Sequence, residues 1–262
     1  MKSKLGVVIG GGNGIGEACC RLMSQRDWKV VVVDLDGEAA KAVAGSIGGH
    51  AYAADITDLA AIKQLELDID RAHGPVEALV IAAAAFQEKY PAEEFPMDLW
   101  DKIMKVNLEA SFNACRVFGG RMAKAGKGSI VTIASIGGHA SSPNFAYGPA
   151  KAALLNLTQS LAAYWGKSGV RVNSVSPGST LVTRVLNRKP GRYAADMDSH
   201  MALGRRVQPA EVAEGVEFLL SDRASAITGT DLLVDCGWMA ASPWGIYGGT
   251  PGPVTQSVSS TT

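Results

Sequence analysis

Tyr147 and Lys151 lie four residues apart in a stretch of helical character, and Ser135 precedes Tyr147 by twelve residues. Residues at positions i and i+4 share one face of a helix, so the lysine ammonium can lie close to the tyrosine phenol. A neighbouring positive charge favours the phenolate and lowers the pKa of the phenol from its usual value of ~10 toward neutral pH. Tyr147 can then donate or accept a proton, and the Ser135 hydroxyl can hold the reacting oxygen. Taken alone, the Tyr–Lys spacing is more typical of a solvated surface pair, so the interpretation depends on the other motifs.

A glycine-rich turn near the N-terminus supplies the second motif. Residues 10–16 read Gly-Gly-Gly-Asn-Gly-Ile-Gly, directly after an apolar strand and at the start of a predicted helix. The first N–H groups of a helix and the positive end of its dipole bind a pyrophosphate, and glycine has no side chain to keep the phosphate away. Glycine clusters are common in turns, but the strand, the turn and the helix together predict a dinucleotide-binding site. We predict cofactor contacts at Gly10, Asn13, Gly14, Ile15 and Gly16.

Asp34 closes the next apolar strand, eighteen residues after Gly16. Its carboxylate can accept hydrogen bonds from the ribose hydroxyls of the adenosine and would repel a 2′-phosphate. No lysine or arginine at positions 12, 13 or 35 offsets that repulsion, so the sequence favours NAD over NADP. The alternative role for Asp34 is to hold the turn before Asp36 and Gly37. Asp55 follows another apolar stretch and can border the adenine pocket or cap a helix.

The composition excludes several classes of function. The chain has 262 residues, and its 25 basic and 25 acidic side chains form no long block of one sign, which argues against nucleic-acid binding. Apolar residues make up 47% of the chain, but their runs are far shorter than the ~20 residues of a membrane span. The four cysteines show neither a C-x-x-C pair nor a histidine-rich partner set, which indicates reduced thiols and no metal site. We therefore expect a soluble cytoplasmic protein without a signal peptide.

Strand-like apolar runs alternate with helix-like stretches, and the strands are apolar throughout, which indicates burial on both faces. The predicted fold class is α/β, a single-domain doubly wound parallel sheet (Rossmann-like) with helices on both faces. Residues 1–240 are expected to form the catalytic domain, including a lid at about 184–206, and residues 241–262 a flexible or interface-forming tail. Predicted strands cover Leu5–Ile9, Lys29–Val33, Ala51–Ala54, Ala78–Ile81, Gly128–Ile133, Val170–Val175 and Asp231–Val234, and predicted helices cover Gly14–Gln25, Gly37–Ser46, Asp98–Ala125, Pro149–Lys167 and Pro209–Leu220.

Over residues 4–240 the chain resembles the short-chain dehydrogenases/reductases. The resemblance is carried by Gly10, Gly14 and Gly16 of the turn, then by Asp55, Asn107, Ser135, Tyr147, Lys151, Asn173 and the pair Pro177-Gly178. It implies that Asn107, Ser135, Tyr147 and Lys151 form a catalytic tetrad, in which Asn107 holds a water that links Lys151 to solvent. It also implies that Lys151 binds the nicotinamide ribose, and that the helices at 98–125 and 149–167 pair between the subunits of a homotetramer. Further cofactor contacts are expected at Asp34, Leu35, Asp55, Ile56, Ala83, Tyr147, Lys151, Pro177, Gly178 and Thr180.

Three positions depart from the family pattern. The Asn-Asn-Ala-Gly stretch after the fourth strand is replaced by Ile81–Ala84, which removes an asparagine that stitches the sheet and adds a methyl beside the expected ribose. The threonine that precedes the glycine turn is replaced by Ile9. The loop after Pro177-Gly178 is one residue longer before its threonine, which leaves Thr180 and Thr183 as alternatives. These departures are expected to affect cofactor affinity more than chemistry.

Stretches within residues 130–154 and 168–180 are similar to 2,3-dihydro-2,3-dihydroxybenzoate dehydrogenases. The resemblance implies an NAD-dependent oxidoreductase that interconverts a secondary alcohol and a ketone, with a cyclic alcohol or dihydrodiol-like substrate. An alternative is a 3-oxoacyl-thioester reductase or 3-hydroxyacyl-CoA dehydrogenase. It is motivated by an excess of basic side chains in residues 184–206, which can attract an anionic substrate. The other interpretation of these basic side chains is a solvated lid. A third alternative, motivated by Ile81–Ala84, is a catalytically silent dinucleotide-binding sensor or scaffold. The expected pocket residues are Phe86, His139, Asn144, Phe145, Met197 and Met201.

Overall fold

The computed structural model describes residues 4–186 and 197–250, and a seven-stranded parallel sheet lies at its centre. The first three strands in sequence form one half of the sheet, and the later strands extend it in the opposite direction. The strands are β1 (Leu5–Ile9), β2 (Lys29–Asp34), β3 (His50–Ala53), β4 (Ala78–Ile81), β5 (Gly128–Ile133), β6 (Val170–Pro177) and β7 (Asp231–Val234), in the spatial order β3-β2-β1-β4-β5-β6-β7. The order in which strands are added to the sheet reverses between β1 and β4, although all strands are parallel. Open α/β sheets bind ligands at such a point, beside the carboxyl ends of the strands. The predicted α/β fold is confirmed.

Helices cover both faces of this sheet because successive strand residues point to opposite sides. In β1, Val7 and Ile9 belong to one apolar cluster and Val8 belongs to the other. Each cluster is completed by apolar side chains from the helices that pack on its face. The helices are α1 (Gly14–Gln25), α2 (Gly37–Ile47), α3 (Leu59–His73), α4 (Met97–Met104), α5 (Ala110–Ala114), α6 (Gly120–Ala125), α7 (Tyr147–Trp165), α8 (Thr183–Leu186), α9 (Pro209–Leu220) and α10 (Trp238–Ala241).

Two helices differ from the sequence predictions in ways that concern the site. Helix α7 begins at Tyr147, two residues before the predicted start at Pro149, because proline is tolerated within the first turn of a helix. The predicted helix over Asp98–Ala125 runs from residue 97 to residue 125, but π-helical segments at Lys105–Glu109 and Cys115–Gly119 interrupt it. Such segments widen a helix by one residue and are frequent at functional sites.

The predicted lid and tail are only partly described. Helix α8 and a short 3₁₀ turn at Asp198–His200 belong to the lid region, whereas residues 187–196 lie outside the described residues. A 3₁₀ turn at Ser242–Tyr247 follows α10, and residues 251–262 of the predicted tail also lie outside the described part. The domain boundary at residue 240 therefore stays a prediction.

Residues 4–186 and 197–250 contain neither a membrane-spanning helix nor a metal-binding cluster. Within these ranges no helix is long and apolar enough to cross a membrane, and no three or more His, Cys, Asp or Glu side chains gather as a metal site would require. The cysteines are free thiols, and burial raises the pKa of Cys19 and of Cys115 to about 12. Buried thiols of this kind are chemically inert.

Candidate active site

The glycine turn has the backbone geometry that a phosphate-binding loop requires. Gly10 and Gly14 have φ angles of +78° and +55°, in the left-handed region that favours glycine. A Cβ on Gly16 would lie 1.9 Å from the carbonyl oxygen of Gly10, so no side chain fits between helix α1 and the turn. Asn13 stands at the N-cap of α1 in extended conformation, and its side chain makes no capping hydrogen bond. The turn therefore fits a dinucleotide pyrophosphate.

The stretch Ile81–Ala84, which departs from the family pattern, packs against this turn. A Cβ on Gly10 would lie only 2.4 Å from the backbone nitrogen of Ala83. The backbone N–H groups of Ala82 and Ala83 both donate to the carbonyl oxygen of Ile9, at 2.8 and 3.2 Å. Backbone hydrogen bonds thus join β1 to the segment after β4 without an asparagine side chain.

Asp34 holds the turn before α2, which is one of the two roles that the sequence left open. Its Oδ2 accepts a hydrogen bond from the Gly12 N–H at 2.8 Å, and its Oδ1 accepts one from the Asp36 N–H at 3.1 Å. The carboxylate therefore holds the turn into α2 and also lies against the glycine turn. Leu35 follows it with a side chain that is 74% exposed. The Asp34 carboxylate thus lies where the adenosine ribose of a bound dinucleotide is expected.

Asp55 does not cap a helix, so that alternative is wrong. Its Oδ1 accepts from the backbone N–H and the hydroxyl of Thr57, both at 2.8 Å. These two hydrogen bonds lower the pKa of the Asp55 carboxyl, the backbone bond contributing most. The N-cap of α3 is Asp58, which accepts from Ala60 and Ala61. Ile56 is buried in the core, so only its backbone is placed to meet a ligand.

Lys151 is the most deeply buried charged group of the candidate site, with 2% of its surface exposed. Its Nζ donates to the carbonyl oxygen of Ile133 at 2.7 Å and lies 5.6 Å from the ring centroid of Tyr147. Burial lowers the pKa of Lys151 to about 7. The sequence predicted an ammonium beside the phenol at this position, and burial makes it an amine that gains and loses its proton near neutral pH.

Ser135 follows β5 and stands at the N-cap of a 3₁₀ turn, Ile136–Gly138. Its Oγ accepts a hydrogen bond from the Gly137 N–H at 3.1 Å. A Cβ on Gly137 would lie 3.5 Å from Ser135 Oγ and 3.9 Å from Tyr147 Cδ1, so the two side chains border the same small space. Because a hydroxyl has one hydrogen to donate besides its lone pairs, Ser135 can still donate to a substrate oxygen.

Asn107 is fully buried in the π-helical segment Lys105–Glu109. Its Nδ2 donates to the carbonyl oxygens of Ala85 and Ile103, at 2.8 and 3.0 Å. Its Oδ1 is buried and has no hydrogen-bond partner among the described residues. A buried polar atom of this kind normally binds an ordered water or a ligand.

Strand β6 ends at Pro177, and the loop that follows carries Gly178 and Thr180 at the carboxyl edge of the sheet. Thr180 is buried and donates to the carbonyl oxygen of Gly178 at 3.0 Å, whereas Thr183 is exposed at the start of α8. Val182 covers the glycine turn, since a Cβ on Gly14 would lie 3.3 Å from its Cγ1. No sequence pattern pointed to Val182.

The expected pocket residues divide into two groups. The ring of Phe86 is 43% exposed and stacks on Tyr147 with centroids 5.4 Å apart. Phe145 and Met197 are also exposed, at 38% and 43%. In the second group, Met201 is buried, Asn144 Nδ2 donates to Ser142 Oγ at 3.2 Å, and His139 Nε2 lies 2.8 Å from an oxygen of Asp231 in β7. Sequence reasoning missed Gln87, whose side chain contacts the start of α7.

Ion pairs engage two of the basic side chains in the lid region. Arg205 pairs with Glu211 at 2.6 Å, and Arg206 pairs with Asp198 at 3.0 Å. Both arginines therefore already have a carboxylate partner within the protein, although exposed ion pairs of this kind are weak. Arg188, Lys189 and Arg192 lie outside the described residues.

Comparison with known proteins identifies the family. Residues 10–239 match the short-chain alcohol dehydrogenase family model that is described as enoyl-(acyl carrier protein) reductase. The chain belongs to the short-chain dehydrogenases/reductases. As a member of this family it is an enzyme, an oxidoreductase that acts on CH–OH groups with a nicotinamide dinucleotide.

Two enzymes and one solved structure illustrate which proteins this short-chain dehydrogenase/reductase is similar to. It is 36% identical over 245 residues to the NAD-dependent glycerol dehydrogenase of Listeria innocua, covering 91% of this chain and 94% of the relative. It is 34% identical over 246 residues to the cis-4-hydroxycyclohexanecarboxylate dehydrogenase of Sinomonas cyclohexanicum, covering 90% of this chain and 97% of the relative. A solved structure from Brucella melitensis, described as a ribose-5-phosphate isomerase, is 39% identical with a TM-score of 0.91, covering 96% of this chain and 98% of that one.

Lys151 makes the stability of this protein depend on pH. Between pH 7 and pH 10 the unfolded chain keeps a proton that the folded chain has lost at Lys151, so raising the pH stabilises the folded state. We expect wild type to gain on the order of a few kcal/mol relative to Lys151→Met over this window. Urea denaturation without cofactor at several pH values measures the free energy of unfolding of both proteins. Lys63→Met, at an exposed lysine of α3, is the matched control. Parallel curves for wild type and Lys151→Met would contradict the expectation.

Proposed function

We propose that this protein is an NAD-dependent oxidoreductase that interconverts a secondary alcohol and a ketone, acting on a cyclic alcohol or a dihydrodiol-like compound. The observation that carries the proposal is the placement of Lys151. Its buried amine lies 5.6 Å from the Tyr147 ring, and the Tyr147 ring and Ser135 border the same small space beside Gly137. Asn107, Ser135, Tyr147 and Lys151 are the catalytic residues in this proposal. The catalytically silent sensor is less well supported, because all four side chains lie at one edge of the sheet.

Each residue of the tetrad has a distinct task in the proposed reaction. Ser135 donates to the substrate oxygen with the hydrogen that its bond from Gly137 leaves available. Tyr147 accepts the hydroxyl proton during alcohol oxidation and returns it during ketone reduction. The protonated amine of Lys151 stabilises the phenolate. Nicotinamide dinucleotide, when bound, supplies the acceptor or donor of the hydride.

Asn107 extends this arrangement toward solvent. Its buried Oδ1 has no partner in residues 4–186 and 197–250, and a water bound there would link the Lys151 amine to solvent. A lysine that titrates near pH 7 suits such a relay, since it can pass protons in both directions.

The choice of NAD rests on Asp34. Its carboxylate lies against the glycine turn, where it can bind the adenosine ribose hydroxyls and repel a 2′-phosphate. The NAD-dependent glycerol dehydrogenase among the relatives agrees with this choice. The proposed contacts are those predicted from the sequence, with Ile56 and the glycine turn acting through their backbones.

The choice of a cyclic substrate rests on the aromatic surface beside Tyr147. The ring of Phe86 stacks on that of Tyr147 and stays 43% exposed, so an apolar ring of a substrate would pack on its exposed surface. The relative that acts on a hydroxycyclohexanecarboxylate fits this chemistry. The thioester alternative loses support because Arg205 and Arg206 are already paired. A turnover screen therefore includes cyclic alcohols, dihydrodiols, glycerol, 3-oxoacyl thioesters and, without cofactor, ribose 5-phosphate.

Tyr147→Phe tests the proposed mechanism directly. We expect kcat to fall by at least ~10³-fold, because only the group that moves the proton is removed. Fluorescence titration should show that NADH still binds with nearly wild-type affinity. Tyr164→Phe, which removes the same hydroxyl at an exposed position of α7, is the matched control. Turnover that survives in Tyr147→Phe would refute the assignment.

Asp34→Ala tests the cofactor choice. The ratio of kcat/KM with NAD to that with NADP should fall at least ~10-fold, because the substitution removes the repulsion of the 2′-phosphate. Asp34→Asn keeps an acceptor for the Gly12 N–H, and it should shift the ratio in the same direction if the charge is responsible. An unchanged ratio in both variants would show that another residue selects the cofactor.

The proposed assembly is a homotetramer in the cytoplasm. A groove of about 720 Å³ lies between the helical segment 97–114 and α7, and it includes Phe112 and Leu157. The helices that line it are those that the family resemblance pairs between subunits, and the tail from residue 241 would contribute a further contact. Light scattering should give a tetramer for wild type and a smaller species for Phe112→Asp, because a charge would be buried in the interface. A monomeric wild type would exclude the assembly.

A further inference from the structure

The side chain of Gln87 is bound to the backbone at the start of helix α7. Its Oε1 accepts hydrogen bonds from the N–H of Ala146 at 2.9 Å and from the N–H of Tyr147 at 3.0 Å. Since both partners are donors, the atom that faces them must be the amide oxygen rather than the nitrogen. The carbonyl group of Gln87 therefore holds two consecutive backbone groups, one of which belongs to Tyr147 itself.

This contact supplies what the local sequence of α7 lacks. The first N–H groups of a helix have no partner within the helix, and a side chain at the N-cap usually binds them. The N-cap of α7 is Ala146, which has no side chain able to do so. Gln87, from the loop after β4, takes over this role from a distant part of the chain.

The loop that carries Gln87 also contacts two side chains of the proposed tetrad, those of Asn107 and Tyr147. The carbonyl oxygen of Ala85 accepts from Asn107 Nδ2 at 2.8 Å, and the ring of Phe86 stacks on Tyr147. Three consecutive residues thus connect Asn107 to Tyr147. Any movement of this loop would change the position of the phenol relative to Lys151 and Ser135.

We propose that Gln87 is a positioning residue, whose amide oxygen fixes the start of helix α7 and so holds the Tyr147 phenol in place for proton transfer. The proposal rests on the proposed function, since it concerns the proton step of that reaction. Gln87 acts through the backbone of Tyr147 and is not itself required to touch the substrate.

Two substitutions at Gln87 separate positioning from general stability. Gln87→Met keeps the length of the side chain and removes the acceptor, and we expect kcat to fall ~10-fold or more with the KM for the cofactor unchanged. Gln87→Glu keeps an acceptor for both N–H groups, and it should recover most of kcat. Its added negative charge near the phenol should move the pH at which alcohol oxidation rises upward by about one unit. Gln64→Met, at an exposed glutamine of α3, is the matched control.

Wild-type kcat and an unchanged pH profile in Gln87→Met would overturn the proposal, as would a Gln87→Glu variant that recovers no activity while binding NADH normally. Hydrogen exchange at the Ala146 and Tyr147 amides adds a readout that does not need turnover. Faster exchange in Gln87→Met, with slow exchange restored in Gln87→Glu, supports the cap, and unchanged exchange overturns it. If wild type binds NADH but oxidises no alcohol, the proposed function has failed, and the exchange data alone decide whether Gln87 holds the helix.

Discussion

The candidate site depends on the burial of one amine. The side chain of Lys151 extends from α7 toward β5, where its Nζ donates a hydrogen bond to the carbonyl oxygen of Ile133. Burial of a charged ammonium there is costly. The amine therefore titrates near neutral pH, which is the property that a proton relay needs. This placement also requires close packing, since a Cβ on Gly138 would lie 2.9 Å from the backbone of Lys151. Glycine at position 138 lets the turn that carries Ser135 approach α7.

The parallel sheet explains why residues far apart in sequence meet. Because all its strands run in one direction, their carboxyl ends form a single edge, where the glycine turn, Asp34, Ser135 and the Pro177-Gly178 loop all lie. The strands are held by two buried apolar faces, so the edge is rigid while the loops that leave it vary. The loop that carries Gln87 leaves this edge after β4 and packs against the start of α7.

The strands, the glycine turn and the Tyr147–Lys151 pair could be predicted because each depends on local patterns, namely continuous apolar runs, clustered glycines between a strand and a helix, and helical spacing. What could not be predicted depends on tertiary contacts. Gln87 is a polar residue in an irregular loop, and nothing near it in sequence indicates that it binds α7. Asp55 and Asp58 both precede α3, and only the geometry shows that Asp58 is the cap. The same side chains fit an α-helix or a π-helix, so the segment around Asn107 had no sequence signal.

The stretch Ile81–Ala84 lacks the asparagine of the family pattern, and backbone hydrogen bonds hold this part of the sheet. In the family pattern an asparagine side chain stitches the sheet here, whereas in this chain the N–H groups of Ala82 and Ala83 bind Ile9 directly. The backbone can do this because Gly10 leaves room for Ala83 at a distance that no side chain would allow. Loss of the asparagine therefore leaves the strand order and the tetrad intact. In the proposed function this departure would lower cofactor affinity, because Ala84 carries a methyl group beside the expected position of the ribose. The proposed proton step, which uses Tyr147 and Lys151, assigns no role to this stretch.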